Sequence, residues 1–351
     1  MSRVYILLVN WNGWADTVEC LESVFRLDYP DFRVIVCDNA SSDGSLEQIK
    51  AWAGGNLLGS SGGPPALQHL TSPPVKKPLS WVELDRTSAE TGGSLSLDPQ
   101  LTLIKNEGNL GFAGGNNVAL RYVLARGDAG HIWLLNNDTV VDGGALSALV
   151  SRIQSVPGAG MCGSTLLFYE RPDVVQALGG GYYLPWFAVA WHVGQRRKFV
   201  PNDRPERVER WLSYINGASL LVSVNFVREV GLMCEDYFLY FEELDWTLRA
   251  GRRFSLAYAP ASLAYHKVGR AIGTRSHPGH KSLTCDFYNL RNRLVFSRKF
   301  FPWSLPTVRI GLGFEALARL CFGHPRRARM ALRFMMSGRT LPSLEGFERA
   351  I

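Results

Sequence analysis

The sequence predicts an α/β fold built on a mainly parallel sheet, and three observations carry that reading. Runs rich in Val, Ile and Leu recur along the first half: RVYILLV, FRVIVCD, LTLIKN and HIWLLN. Segments whose apolar residues follow helical spacing separate them, so strand and helix alternate to about residue 156. That alternation is the mark of parallel strands joined by helices that cover the sheet. Each strand-like run also ends on a polar or acidic cluster, at the end of the sheet where ligands of such folds bind.

Residues 3–9 read as the first buried strand. A helix follows, with Val18, Leu21, Glu22, Val24 and Phe25 in register behind Asp16 as its cap. FRVIVCD is the second strand and leads into SSDGSLEQIKAW, where Ser and Asp are natural helix-start residues. From about 54 to 98 the pattern collapses into GGNLLGSSGGPP, TSPPVKKP and SAETGGSLS, which reads as a flexible surface insertion. Strand character resumes at LTLIKN. GNLGFAGGNN then opens the helix NVALRYVLARG, followed by strand HIWLLN, the Asn-Asn-Asp cluster, helix GALSALVSRIQSV and strand-like GMCGSTLLF. In the second half SYINGASLLVS reads as a strand, YFEELDWTLRAG as a helix, FSLAYAP and SLAYH as two short strands, and the chain turns helical after Pro278.

An apolar fraction of 46% with 20% charged residues is that of a soluble globular protein. No apolar stretch reaches the length of a membrane span, and the first apolar run stops at Asn10, as a buried strand does and a secretory leader does not. Six scattered cysteines without a Cys-x-x-Cys pair read as reduced thiols of a cytoplasmic protein. The net charge of +7 is concentrated at the end: residues 285–351 hold twelve basic and four acidic side chains, the rest 26 and 27.

Chemistry is expected at three acidic places. Asp138 follows a buried run and suits Mg²⁺ or Mn²⁺, hard cations that take one or two carboxylates and leave other positions to water and phosphate; an Asx turn is the structural alternative. Asp38 is placed to accept from a pyrimidine N–H or a ribose hydroxyl, or to cap its own loop, although Asp43 looks more like the cap. GNLGFAGGNN lacks the G-x-G-x-x-G spacing, yet glycines before a helix let backbone approach a phosphate, or pack the helix tightly on the sheet. In the third cluster Glu242 and Asp245 share a helix face, with Glu243 about 100° away. Crowding and the aromatic flanks Tyr237, Phe238, Tyr240, Phe241 and Trp246 would raise a carboxyl pKa toward that of a useful base. A solvated helix start is the other reading. His266, ending a strand-like run, fits a metal ligand, a phosphate donor or a structural histidine.

Taken in order, VNWNGWADTVECLESV, YPDFRVIVCDNASSDGS, NEGNLGFAGGNN, WLLNNDTVV, YINGASLLV, EDYFLYFEELDWTLRAG, YHKVG and YNLRNRLVFSRK resemble the inverting family 2 glycosyltransferases, in particular their rhamnosyltransferase-like branch. The resemblance runs from residue 4 to about 300, without 54–98 and parts of 170–210. It implies a GT-A fold (Rossmann-like, mainly parallel sheet flanked by helices), a dTDP- or UDP-sugar donor, a divalent cation and inversion at the anomeric carbon. It would place Val9, Asn10, Asn12, Asp38, Asn109, Gly111, Phe112, Gly115, Asn116, Asn136, Asn137, Asn216 and Gly217 around the donor, and Asp138 and His266 on the metal. Glu243 would be the base within a catalytic group that includes Glu242 and Asp245. Two departures stand out: Asn136 replaces the first carboxylate of the family's D-x-D, and the usual Glu-Asp pair is Glu-Glu. No Q-x-x-R-W motif of processive synthases is present, which points to transfer of single sugars.

The expected organisation is a GT-A domain over 1–280, with a nucleotide-binding part (1–156) and an acceptor-side part (157–280), then a basic amphipathic helical region over 281–351. That last region suits either an anionic membrane surface or a packed helical subdomain with a solvated basic face. Nucleic acid is not an expected partner, because no recognised binding module accompanies the charge. A glycan or lipid-linked acceptor is, with the protein cytoplasmic and peripheral on the inner membrane. Two other functions compete. A nucleotidyltransferase would carry a basic glycine-rich loop after the first strand, where VNWNGWAD has no Lys or Arg. A degenerate sugar-binding protein would keep the fold without the chemistry.

Overall fold

The computed structural model describes residues 2–59, 63–94, 96–201, 204–268 and 282–336. In chain order the first half gives β1 (Arg3–Asn10), α1 (Trp14–Val24), β2 (Phe32–Asp38), α2 (Ser45–Gly54), α3 (Gln68–Thr71), β3 (Trp81–Asp85), α4 (Arg86–Glu90), β4 (Leu101–Lys105), α5 (Gly111–Arg126), β5 (Ala129–Leu135), β6 (Thr139–Val141) and α6 (Ala145–Ser155). The second half gives β7 (Ala159–Phe168), β8 (Arg171–Leu178), β9 (Gly180–Leu184), β10 (Val189–His192), α7 (Pro205–Glu209), β11 (Tyr214–Ile215), β12 (Ser219–Ser223), α8 (Val224–Val230), α9 (Glu242–Ala250), β13 (Ser255–His266), α10 (Leu283–Phe300), α11 (Leu305–Cys321) and α12 (Pro325–Met336).

The strands β3-β4-β2-β1-β5 form a parallel half-sheet. It continues through antiparallel β12 into β7, β13 and β6, with β8 paired to β7 off that path. β1 shows why its run is uninterrupted: Ile6 and Leu8 enter one core layer, Tyr5 and Leu7 the other. A strand covered on both faces has no solvent side to alternate toward. β1 and β2 pair with Asn10 opposite Asp38, so both polar groups emerge at one edge. A second sheet, β10-β9-β11, stands beside that edge.

The structure departs from the sequence expectation in several places. The stretch 54–98 is not featureless: it contains α3 and α4, and β3 extends the parallel sheet beyond β4. The buried Lys77–Glu22 ion pair at 2.6 Å ties it to α1. FSLAYAP and SLAYH are one strand, β13, whose pairing to β7 shifts between Ala259 and Leu263. SYINGASLLVS is two strands in different sheets, broken at Asn216-Gly217. α1 begins at Trp14 without a side-chain cap, and Asp16 instead binds Lys267. The helices α10–α12 share a core with the rest: Leu290, Phe296, Val308, Leu312 and Met330 cluster with Tyr183, Tyr237 and Leu244. The remainder of the expected helical region, 337–351, lies outside the described residues, as do 269–281.

Candidate active site

At the carboxyl ends of the parallel strands, Asp38 is almost fully buried and held from two sides. Asn10 donates to its Oδ1 at 2.7 Å, the Ser41 hydroxyl donates to the same oxygen at 2.6 Å, and the Ser41 N–H donates to Oδ2 at 2.9 Å. Asn10 in turn accepts from the Thr17 hydroxyl at 2.8 Å and the Asn137 amide at 3.3 Å. Asn12 sits in a left-handed turn at φ +50° and accepts from Ser42 N–H. Asp43 accepts from the Ser45 N–H at 3.0 Å in the turn before α2, whose cap residue is Gly44 at φ +76°.

The glycine-rich entry to α5 is a packing device. Gly111 takes φ +69°, and a Cβ there would lie 2.3 Å from the Phe238 carbonyl oxygen. Phe112 N–H donates to that carbonyl, and Asn109 accepts from Gly111 N–H at 3.0 Å. A Cβ on Gly115 would meet Val9 at 2.8 Å. Asn116 is buried and donates to Phe112 O within its own helix. Asn39 went unnoticed in the sequence although it follows Asp38 directly; it bridges Asn106 and the Gly111 carbonyl at 2.9 and 3.0 Å.

Beyond β5, Asp138 and His266 meet. The register of β13 on β6 sets His266 beside Thr139, and Asp138 Oδ1 lies 3.1 Å from His266 Nε2. Asn136 Nδ2 is 3.3 Å from the same nitrogen, and Gln176 Oε1 is 3.0 Å from Nδ1 on the far side of the ring. Among the described residues no group of three or more His, Cys, Asp or Glu converges on a metal-sized space. Next along β13, the buried Lys267 ammonium binds Asp16 at 2.5 Å and also Glu19, anchoring the strand end.

The turn Asn216–Ala218 joins this corner to the acidic pair. Asn136 N–H donates to Ala218 O at 3.1 Å, and Asn216 Nδ2 lies 3.1 Å from His192 Nε2. Gly217 N–H donates to Glu243 Oε1 at 3.1 Å. His192 was not foreseen; burial and the neighbouring His266 push its pKa down to about 4. The buried Tyr214 phenol is pushed up by desolvation and by the charge of Glu243.

Glu242 and Glu243 open α9. Glu242 is buried, its Oε2 has no hydrogen-bond partner, and desolvation followed by the charge of Glu243 raises its pKa well above the usual carboxylate range. Glu243 is half-buried and also raised by desolvation, with the Gly217 N–H acting against the shift. Burial therefore favours the neutral form of Glu242 most strongly, whereas the Gly217 N–H favours the charged form of the half-buried Glu243. Asp245, grouped with them from the sequence, is a correction. It is fully buried and bound by Arg249 at 2.6 Å, Lys299 at 2.5 Å and the Tyr237 hydroxyl at 3.0 Å, so its lone pairs serve to fix the helix.

Comparison with known proteins shows what the chain resembles. Residues 5–60 match the family model described as Glycosyl transferase family 2. The chain is 25% identical over 232 residues to the N-acetylglucosaminyl-diphospho-decaprenol L-rhamnosyltransferase of Mycobacterium tuberculosis, covering 59% of this chain and 74% of that protein. Among solved structures, the mannosyltransferase PcManGT of Pyrobaculum calidifontis, in complex with GDP-Man and Mn²⁺, superposes with a TM-score of 0.50 at 13% identity over 96% of this chain and 88% of that one. GalNAc-T7 with UDP, GalNAc and Mn²⁺ superposes at 0.53 and 14% identity over 85% of this chain and 48% of that one. These two likenesses concern the fold.

Proposed function

We propose that this glycosyltransferase with a GT-A fold is a family 2 enzyme that transfers one sugar, with inversion, from a dTDP- or UDP-sugar to a hydroxyl of a lipid-linked glycan acceptor at the cytoplasmic membrane face. The observation that carries the mechanism is the hold of Gly217 N–H on Glu243, beside the buried Glu242 whose carboxyl pKa is raised by burial. In this reading Glu243 takes the proton of the acceptor hydroxyl as that oxygen attacks the anomeric carbon and the bond to the nucleoside diphosphate breaks on the opposite face. Asp38 serves the nucleoside, and the Asn10–Ser41 network keeps its carboxylate from swinging away. The relative's acceptor, named as an N-acetylglucosaminyl-diphospho-decaprenol, and its rhamnose favour a lipid-diphosphate acceptor and a deoxysugar donor here.

Asp138 and His266 would hold a Mg²⁺ or Mn²⁺ ion together with the donor diphosphate. Their 3.1 Å separation is what two adjacent ligands of one small divalent ion require, at about 2.1 Å per bond. Gln176 on Nδ1 fixes the ring so that Nε2 faces Asp138. With Asn136 in place of a second carboxylate, Asp138 and His266 would be the protein ligands and the donor phosphates would supply the rest. Bound there, the cation offsets the charge that grows on the leaving diphosphate.

The test is thermal unfolding with a panel of nucleotide sugars, with Mg²⁺ or Mn²⁺ and with EDTA. A donor at 100 times its Kd adds about 2.7 kcal/mol of stability. A metal-dependent shift with one dTDP- or UDP-sugar is expected, lost in Asp138→Ala and kept in Glu243→Gln, which binds but does not transfer. Folded protein that no donor stabilises would refute the reading.

A further inference from the structure

An amphipathic helix on a protein surface turns its apolar stripe inward and its polar side to water. α11 breaks that rule. Val308, Leu312 and Ala316 form its buried stripe. On the opposite side Ile310, Phe314 and Leu317 recur at helical spacing with exposures of 56%, 70% and 59%. The positions between and beside them, Thr307, Gly311, Ala318 and Cys321, carry no charge. The outer face of this 17-residue helix is therefore apolar along its length. The patch continues past the helix start: Trp186 and Trp303, 53% and 52% exposed, pack edge to face at 4.6 Å, and the half-exposed Phe187 lies beside Gly311. Single exposed apolar groups are ordinary on a soluble protein; a contiguous patch of this kind marks an interaction surface.

We propose that this face is a docking surface for an anionic lipid bilayer, with the α11 stripe and the Trp186–Trp303 pair seated at headgroup level. Charge selects this occupant. Residues 285–336 carry ten Arg or Lys against two acids, Asp286 and Glu315, and both acids are already engaged by Arg293, Arg319 and Arg327. The helix that packs against α11 presents exposed Arg326 and Arg329. Among the described residues no helix is long and apolar enough to cross a membrane, so the contact lies in the interface plane. Tryptophans at the edge of an apolar stripe suit that depth. The inference rests on the proposed lipid-linked acceptor, whose sugar would be presented within reach of the same surface.

The experiment is co-sedimentation of the full chain with phosphatidylcholine vesicles containing phosphatidylglycerol, and with phosphatidylcholine alone. No acceptor lipid is included, so binding is read apart from catalysis. Sedimentation with the anionic vesicles, weakened by salt, is expected. The double change Phe314→Glu with Leu317→Glu should weaken partitioning by at least about tenfold at unchanged melting temperature and unchanged donor-induced stabilisation. Phe314→Leu with Leu317→Met should bind as the native chain does. Native protein left in the supernatant, or equal binding by the glutamate variant, overturns the proposal. So does a dimer in gel filtration that the glutamate variant dissociates without any vesicle binding, because the face would then belong to a second copy. Loss of donor stabilisation with intact vesicle binding would count against the glycosyl-transfer reading alone.

Discussion

Gly217→Ala isolates the contact on which the mechanism depends. A Cβ at that position would lie 2.2 Å from Glu243 Oε1 and 3.0 Å from Phe112 Cζ, whereas ordinary contacts begin near 3.4 Å. The carboxylate must therefore retreat by about 1 Å, which breaks its bond to the Gly217 N–H. A reacting group misplaced by that distance costs about 100-fold in rate. The lost charge-assisted bond is worth about 1.5 kcal/mol, taken at the low end because Glu243 is half-exposed. Steady-state transfer should show kcat down about 100-fold, a larger loss than any change in the donor KM, since the proposed contacts at Asp38 and Asp138 lie outside the clash. Glu243→Gln sets the floor, at about 100- to 10,000-fold below native. Gly108→Ala is the control, because nothing lies within 4 Å of its added Cβ. A folded Gly217→Ala enzyme that keeps kcat within about threefold of native would refute the assignment of Glu243 as a positioned base.

Because Glu243 must be ionised and its pKa is raised by burial, the transfer rate should climb with pH above the ordinary carboxylate value of 4.5. Glu242→Gln should leave that limb close to its native position, because burial rather than the charge of Glu242 raises Glu243. The raised value of Glu242 also makes native stability fullest below 4.5 and decreasing as pH rises toward the folded-state value; melting curves of Glu242→Gln should show a smaller decline. Asn292→Ala should destabilise by about 3 kcal/mol in urea unfolding, because its buried amide serves the carbonyls of Tyr237, Leu239 and Tyr240 at 2.8–3.1 Å. Lys267→Met should cost about 3–5 kcal/mol in urea unfolding at neutral pH, because it removes the buried cation that binds Asp16 and Glu19.

The parallel half of the fold was legible because its strands are buried on both faces, which writes them as unbroken apolar runs ending at Asn10, Asp38 and Asn136. The β8–β10 hairpins were not. Their outward Trp191 and half-buried Tyr182 break the apolar pattern and make them look like loop, and β9 completes its sheet only by pairing with the distant β11. Gln176 and His192 reach the site only through those hairpins, so no local signal marks them. The helix arithmetic that put Glu242 and Asp245 on one face was sound geometry. It failed as chemistry because that face meets α10, whose Lys299 lies far away in sequence. Glu243 against Gly217 depends on where β12 starts after its turn, a matter of register that the apolar pattern does not encode.

The C-terminal helices belong to the site as well as to the surface. Phe238, Tyr240 and Phe241 all have φ between 62° and 76°, a region that non-glycine residues enter at about 1 kcal/mol or more each. Such a loop persists only if its surroundings over-determine it. α10 supplies that restraint: Asn292 gathers the loop carbonyls, and Tyr288 stacks on Phe238 at 4.7 Å. The Phe238 carbonyl then receives Phe112 N–H at the start of α5, so one strained loop links the glycine-rich entry to α9 and Glu243. α10 is itself packed against α11, whose opposite face is apolar and exposed. The helix that fixes the proposed base, Glu243, is thus one layer away from the face proposed for the bilayer, so that in this reading an acceptor anchored in lipid meets a carboxylate already held in place.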